Sequence, residues 1–168
     1  MTSPSETIPP APEQCEVRQS GALPYAYING NLHFLIVTTR RSGRWIFPKG
    51  GVKQGYTPWD SAACEAEEEA GVAGEISDLP IGAYQARVGS DALLVTVDIY
   101  PLEVTRQYDQ WREKGQRLRH WATLTEAQRL LGEPVLCDLA EKLARQLSSG
   151  GRAAGLDMDD PKPLSRRI

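Results

Sequence analysis

A glycine-rich loop that runs into an acidic helix is the feature that most constrains this chain. Three glycines lie between residues 50 and 55, and the segment CEAEEEAG follows at 64–71, with four carboxylates in five positions. Between them, Thr57 is a good N-cap residue and Pro58 is tolerated in the first turn of a helix, while Gly71 is typical of a helix end. The pattern predicts one helix between these two signals.

Three of the four glutamates are predicted to share a face of this helix. On a wheel of about 100° per residue, Glu65, Glu68 and Glu69 lie together, whereas Glu67 points elsewhere. Like charges at this spacing raise each other's pKa, and a divalent cation such as Mg²⁺ or Mn²⁺, which favours oxygen ligands, removes the repulsion. A solvated acidic face without an ion is the alternative. The glycine-rich loop favours a metal site, because bare backbone can approach an ion or a phosphate there.

Strand patterns surround the helix. Asn29-Gly30, between apolar runs at 25–28 and 32–39, predicts a hairpin, and a short strand at 45–47 stops at Pro48. Further strands are expected at 76–87, 93–103 and 116–122, and helices at 126–131, capped by Thr125, and 134–147. This order predicts an α+β domain over residues 19–148, with disordered segments at 1–18 and 149–168.

Composition excludes several classes of protein. The net charge of −3 gives no overall attraction to nucleic acid or to an anionic membrane. No apolar run approaches the roughly 18 residues of a membrane span, and the start, MTSPSETIPPAPEQ, lacks the pattern of a secretory signal. Three scattered cysteines argue against a disulfide framework or a zinc site. We therefore expect a cytoplasmic protein.

The stretch from Gly50 to Val72, GGVKQGYTPWDSAACEAEEEAGV, resembles the signature of the Nudix family. The matching positions are Gly50, Glu65, Ala66, Glu68, Glu69, Gly71 and Val72, and the preceding 45–50 looks like the family's usual lead-in. The resemblance implies a Nudix-type α/β/α sandwich with a mixed β-sheet. It also implies metal-dependent hydrolysis of a nucleoside diphosphate derivative or a related pyrophosphate.

The resemblance also implies roles for individual residues. Glu65 and Glu69 are implied as direct ligands of Mg²⁺ or Mn²⁺, with the carbonyl of Gly50 or Gly51 beside them. Glu68 is implied as a further metal ligand or as the catalytic base that activates water. The number of metal ions stays open.

Two positions depart from the signature. Tyr56 stands where the family has a glutamate, and Cys64 stands where it has an arginine that orients and neutralises the acids. Without that cation, the proton affinity of the metal-free cluster should rise and the catalytic glutamate should be less well positioned. Because the three metal-facing carboxylates remain, we favour a working enzyme. A degenerate module that binds its ligand without turnover is the alternative.

Basic residues suggest a phosphate-rich small-molecule substrate. They are Arg40, Arg41, Arg44, Lys49 and Lys53 near the signature, then Arg117 and Arg119, which alternation puts on one side of a strand. Ordinary surface charge is the alternative. The segment 111–127 is similar to diphosphoinositol polyphosphate phosphohydrolases, which also act on diadenosine polyphosphates. ADP-ribose, an oxidised nucleotide or the 5′ end of RNA remain alternative substrates.

Five further residues are weaker candidates for the site. Tyr84, Tyr108 and Trp111 could stack on a base, although aromatic residues more often form the core or a rim. Asp109 and Glu113 could supply a later acidic metal ligand from a loop, as in some members of the family. Beyond an RNA 5′ end, no nucleic-acid partner is expected, and the oligomeric state stays open.

Overall fold

The structure is a computed structural model that describes residues 17–150. The disorder predicted at 1–18 and 149–168 therefore falls almost wholly outside the described residues. Where the two overlap, Arg18 begins a strand and Ser149 and Gly150 belong to a helix. None of the helices within 17–150 is long and apolar enough to cross a membrane.

Eight strands and three helices make up the described part of the chain. The strands are β1 (Arg18–Ile28), β2 (Asn31–Thr38), β3 (Trp45–Ile46), β4 (Lys49–Gly51), β5 (Val72–Ile76), β6 (Gly82–Val88), β7 (Leu93–Gln107) and β8 (Arg119–Thr123). The helices are α1 (Pro58–Glu65), which continues into a π-helical turn (Ala66–Ala70), α2 (Leu124–Leu130) and α3 (Pro134–Gly150).

The strands form one mixed sheet in which β1 is central. It runs parallel to β7 and antiparallel to β2 and β4. β5 and β6 pair antiparallel with β7, while β3 and β8 pair antiparallel with β2. The predicted α+β class with a mixed sheet is confirmed.

The Asn29-Gly30 hairpin forms as predicted. Ile28 pairs with Asn31, and the two turn residues have φ values of 51° and 79°. Two consecutive positive φ angles match the twist of the flanking strands, and asparagine and glycine tolerate them best. The hairpin sets the register of β2, whose residues Phe34 and Leu35 are fully buried.

Several predicted boundaries were wrong. The start of the glycine-rich loop expected at 50–55 belongs to strand β4. The strand expected at 76–87 is divided between β5 and β6 by a loop containing Pro80, which cannot donate to a ladder. Helix α2 is capped by Thr123 instead of Thr125. The Thr123 side chain accepts from the amide of Glu126, whose carboxylate accepts from the amide of Thr123, forming a capping box.

Helix α1 begins as predicted, because Thr57 Oγ1 accepts a hydrogen bond of 3.1 Å from the amide of Asp60. On its buried side, Ala62 and Ala66 are fully buried, whereas Ala63 is only partly buried. Small residues on this side allow the helix to pack closely against β1 and β4. This packing brings the acidic end of the helix to the sheet.

Candidate functional site

The backbone of Gly50 lies against the carboxylate of Glu65. Gly50 pairs with Ser20 of β1, and a Cβ atom at Gly50 would overlap the Glu65 carboxyl group. Only glycine allows a carboxylate to approach the backbone this closely. The glycine-rich segment and the acidic helix thus meet at Gly50 and Glu65.

The remaining glutamates lie where the helix widens. After Glu65 the chain forms a π-helical turn and ends at Gly71, which has a φ of 65°. A π-helical turn has wider spacing than an α-helix and is frequent at functional sites, so a wheel of constant pitch does not describe it. Glu67 is exposed as expected, Glu68 is half-buried and Glu69 is buried. The acids therefore divide between two environments.

The outer group consists of Glu65, Glu68 and Lys53. Lys53 Nζ lies 2.9 Å from Glu68 Oε1 and 3.7 Å from Glu65 Oε1, and the Lys53 amide donates to Ser61 Oγ at 2.9 Å. The hydrogen bond from Lys53 lowers the pKa of Glu68, whereas burial raises the pKa of Glu65. Lys53, which lies in the loop, therefore supplies the positive charge that the signature's arginine would supply from the helix at the position of Cys64.

The inner group consists of Glu69, Glu113 and Arg117. Arg117 Nη2 donates to Glu69 Oε1 at 2.6 Å, and its Nε donates to the carboxylate of Glu113. The amide of Lys49 donates to Glu69 Oε2 at 3.2 Å, and Arg117 Nη1 donates to the carbonyl of Thr38 at 2.9 Å. Burial raises the pKa of Glu69 to about 7, against the opposing attraction of Arg117.

A loop before β8 carries a fourth acid to the site. The amide of Glu113 donates to the carbonyl of Glu68 at 3.0 Å, and the Glu113 carboxylate lies 3.9 Å from Arg40. Of the two late acids considered from the sequence, the structure thus places Glu113 beside the signature. The carbonyl of Asp109 instead accepts a hydrogen bond of 2.6 Å from Lys114 Nζ.

A cleft of about 1050 Å³ opens beside the inner group, with Glu69 in its wall. Five of the seven predicted basic residues line it, namely Arg40, Arg41, Arg44, Lys49 and Arg117. Arg87 of β6 also lines the cleft and was missed by the sequence reasoning. No local pattern connects β6 with the acidic helix, so its contribution could not be read from spacing. The cleft joins acidic and basic groups in one cavity.

Hydrogen bonds hold the basic turn that forms one rim of the cleft. Thr39 Oγ1 lies 2.7 Å from Ser42 Oγ and accepts a hydrogen bond of 3.1 Å from the amide of Arg44. Gly43, with a φ of 65°, permits the reversal. The turn thereby presents its exposed arginines from an ordered backbone.

Arg119 has a different environment from the other basic residues. Its Nη1 donates to the carbonyls of Ala70 and Tyr108 at 2.9 Å each, and its guanidinium lies 4.0 Å from the ring centroid of Trp111. Cations are favourable at a helix C-terminus, where carbonyls lack intrahelical partners. The observed contacts of Arg119 therefore support the end of the acidic helix, and it does not line the cleft.

The two departures from the signature share a separate groove of about 400 Å³. Tyr56 and Cys64 both line it, together with Asp60 and Glu67. Burial raises the pKa of the Cys64 thiol, which disfavours the nucleophilic thiolate. Neither residue lines the basic cleft.

Carboxylate oxygens are the ligands that a hard divalent metal ion prefers. In this structure, however, the carboxylates form ion pairs with Lys53 and Arg117. Within residues 17–150, no three acidic, histidine or cysteine side chains are gathered as a ready-made metal cluster. The oxygen donors and the Gly50 cradle against Glu65 nevertheless fit Mg²⁺ or Mn²⁺. Metal binding would compete with the Lys53 contacts to Glu65 and Glu68.

Comparison with known proteins places these features in a family. A family model described as the NUDIX domain matches residues 23–139. The chain is 31% identical over 135 residues to Nudix hydrolase 16, mitochondrial, of Arabidopsis thaliana, covering 71% of this chain and 74% of the relative. It is 32% identical over 113 residues to human diphosphoinositol polyphosphate phosphohydrolase 3-alpha, covering 65% and 66%.

Other relatives are matched over a smaller part of their length. The match covers 63%, 56% and 55% of the Arabidopsis thaliana Nudix hydrolases 12, 21 and 4. Among solved structures, a C. elegans Ap4A hydrolase is similar with a TM-score of 0.62 at 20% identity, over 79% of this chain and 98% of that one. The NUDIX domain of Shewanella oneidensis NrtR, solved with ADP ribose, has a TM-score of 0.63 at 14% identity, over 80% and 90%.

Proposed function

The chain belongs to the Nudix family, and on that premise we propose that it is a divalent-metal-dependent pyrophosphohydrolase. It cleaves a P–O–P bond in a phosphate-rich small molecule. Water adds to one phosphorus atom and its proton passes to a carboxylate. The leaving phosphate keeps the bridging oxygen and its electron pair.

One observation carries this proposal: Glu69 belongs both to the acidic helix and to the wall of an arginine-lined cleft. A polyphosphate in the cleft would therefore meet carboxylates and guanidinium groups together. Guanidinium groups match phosphate geometry, and their fixed positions reduce the entropy lost on binding. An acidic helix on an uncharged surface would not support the same inference.

Four groups would hold Mg²⁺ or Mn²⁺: the carboxylates of Glu65, Glu68 and Glu69 and the carbonyl of Gly50. When bound, the ion would polarise a phosphate oxygen and lower the pKa of water. Arg117 keeps Glu69 oriented through the 2.6 Å hydrogen bond. These assignments follow the signature and are supported by the observed proximity of Gly50 and Glu65.

Glu68 is the catalytic base that the resemblance implies, and Glu65 is the alternative that the pKa directions favour. A base works best when its pKa lies near the working pH. Lys53 lowers the pKa of Glu68, whereas burial raises that of Glu65. These opposite directions favour Glu65 when the ion pairs are intact.

The proposed substrate class is a diphosphoinositol polyphosphate or a diadenosine polyphosphate. The arginines of the cleft and the similarity to the human diphosphoinositol polyphosphate phosphohydrolase support this choice. Arg40, Arg41, Arg44, Lys49 and Arg117 are the proposed substrate-binding residues that line the cleft. Lys53 is proposed to meet phosphate from the outer group, and Arg119 is proposed to act indirectly, by supporting the helix end.

A substrate panel tests the proposal. Purified protein is incubated with diphosphoinositol pentakisphosphate, diadenosine tetraphosphate, ADP-ribose, an oxidised nucleoside triphosphate and 5′-triphosphorylated RNA, with Mg²⁺, with Mn²⁺ or with EDTA. Phosphorus NMR identifies the products. We expect metal-dependent cleavage of the first two substrates. Preferential cleavage of one of the others would support the nucleotide-directed alternative instead.

A binding module without turnover is the second candidate function. The observation that favours it is the pairing of the signature acids with Lys53 and Arg117, together with the changed residues Tyr56 and Cys64. Saturable binding of a panel member in calorimetry, with no cleavage under either metal, would establish this alternative.

We also propose that the protein acts in the cytoplasm. The sequence carries sparse cysteines, whereas several relatives are named as mitochondrial or chloroplastic. Subcellular fractionation of the native host, followed by immunodetection, tests the location directly.

A further inference from the structure

Tyr84 has a buried hydroxyl group without a hydrogen-bond partner among the described residues. The residue lies in β6 opposite Val97 of β7, and it is only 5% exposed. Its ring belongs to the hydrophobic core, yet the residue also contributes to the wall of the basic cleft. The hydroxyl oxygen itself has almost no exposed surface, so it lies behind the wall of the cleft.

An unpaired buried hydroxyl is unfavourable for folding, because it loses its hydrogen bonds to water without replacement. Phenylalanine would fill the same space without that penalty. Two other buried groups within residues 17–150 also lack partners, Ser20 Oγ and Trp111 Nε1, but neither residue lines this cleft. Of these three residues, only Tyr84 belongs to the cleft wall, and a ligand would reach its hydroxyl once the wall side chains move aside.

The surroundings indicate which chemical class of ligand would suit the hydroxyl. Burial, followed by the charges of Glu133 and Glu69, raises the pKa of Tyr84, so the hydroxyl stays protonated and can donate. Arg44 and Arg87 line the same cleft and would attract an anion. Six basic side chains line the cleft against the two carboxylates of Glu69 and Glu133, so a proton donor at this wall suits a phosphate oxygen.

We propose that Tyr84 is a specificity-determining residue whose hydroxyl donates a hydrogen bond to a phosphate group of the substrate that is not transferred. This inference rests on the proposed function and deepens it. Tyr84 forms an anchor with Arg44 and Arg87 on the cleft wall, while the signature acids act on the scissile bond. Substrates with several phosphates engage both parts of the cleft at once.

Tyr84→Phe tests the proposal, with inorganic tripolyphosphate as the probe. Calorimetry on metal-free full-length protein should show about tenfold weaker binding for the variant, because a hydrogen bond to a charged acceptor is lost. Its thermal midpoint should equal or exceed that of the wild type, since an unpaired buried hydroxyl is removed. With the preferred panel substrate, KM should rise about tenfold while kcat changes little.

Tyr100→Phe is the matched control. Tyr100 is also 5% exposed, but it does not line the cleft. The control should bind tripolyphosphate like the wild type. Equal binding by wild type and Tyr84→Phe would overturn the inference, as would a clearly lowered thermal midpoint for Tyr84→Phe, which would reveal a structural partner.

The same experiments separate the inference from the proposed function. A wild-type protein that binds tripolyphosphate through Tyr84 but cleaves no panel substrate would refute the hydrolase proposal and support the anchor. A protein that cleaves its substrate with unchanged KM after Tyr84→Phe would support the hydrolase and refute the anchor.

Discussion

The inner and outer groups contain the same kinds of charge in different environments. The closest ion pair of each group differs in exposure: Glu69 and Arg117 are 7% and 8% exposed, whereas Glu68 and Lys53 are 27% and 31% exposed. The third members, Glu65 and Glu113, are alike at 13% and 16%. If one side chain of the outer pair is removed, water can solvate the remaining charge, whereas water cannot reach the remaining charge of the inner pair. We conclude that the inner ion pair supports the fold as well as the site, and that the outer pair mainly positions carboxylates.

The largest expected effect comes from Arg117→Met. Removing the guanidinium leaves the buried carboxylate of Glu69 without its ion-pair partner, and the partly buried Glu113 loses one of its two cations, which should lower the free energy of unfolding by about 3–5 kcal/mol. Urea denaturation at neutral pH measures the loss. Arg112→Met is the control, since Arg112 contacts Glu68 but is 71% exposed, and should cost less than about 1 kcal/mol. Equal losses would remove the distinction between the groups.

Glu69→Gln should lower turnover of the preferred substrate by at least about a hundredfold, because residues that only support metal ligands already contribute up to about that factor. The substitution keeps the side-chain volume, and circular dichroism checks the fold. Glu67→Gln, on the exposed side of the same turn, should retain activity. If Glu68→Gln and Glu69→Gln both turned over like the wild type, the assignment of the acids would be wrong.

The stability of the metal-free protein should depend on pH through Glu69. Burial raises its pKa from 4.5 to about 7, so folding takes up a proton between these values. Stability should therefore fall as pH rises through this range and level off above it, by on the order of 1–3 kcal/mol. Urea denaturation of wild type and Glu69→Gln at several pH values measures the difference. If the stability of the wild type relative to that of Glu69→Gln stayed constant or rose with pH, the inner environment described for Glu69 would be contradicted.

Lys53→Met should have the smallest effect on folding, changing the free energy of unfolding by less than about 1 kcal/mol because the pair is partly exposed. Turnover should fall about tenfold through poorer positioning of Glu65 and Glu68. Adding Cys64→Arg should restore part of the loss, since Lys53 lies close enough to affect the pKa of the Cys64 thiol.

Adding Cys64→Ala to Lys53→Met is the matched control and should restore nothing. Steady-state kinetics measure the turnover of the two double variants and of Lys53→Met alone, and denaturation curves show whether all three are folded. Recovery by alanine as well as by arginine would show that the positive charge is irrelevant to the outer group.

The sequence correctly predicted a turn and a helix start that depend on residues close together in the chain. Asn29-Gly30 specified its turn through backbone conformation, and Thr57 with Pro58 specified the start of α1. The start of α2 was misplaced because Thr123 and Thr125 are both competent caps. Thr123 with Glu126 and Thr125 with Gln128 both match the capping-box spacing, and the structure forms the first of them.

The candidate site was predictable in its acids but not in its cations. Periodicity joined Glu65, Glu68 and Glu69, although a wheel of constant pitch could not anticipate the π-helical turn that buries Glu69. Arg117 and Arg119 were both predicted to bind substrate from one side of a strand. In the structure they lie in two different environments. One pairs with a carboxylate of the helix and the other caps the helix end.

The sequence by itself determined the family, the glycine that approaches the acidic helix, and the set of available carboxylates. Only the tertiary structure decided which cation neutralises each of them. Arg117 lies 48 residues from Glu69, and Lys53 lies 15 residues from Glu68. Contacts over such separations depend on how the sheet and its loops close, because helical and strand periodicities order only near neighbours. Long-range packing thus supplied the positive charge that is missing at Cys64.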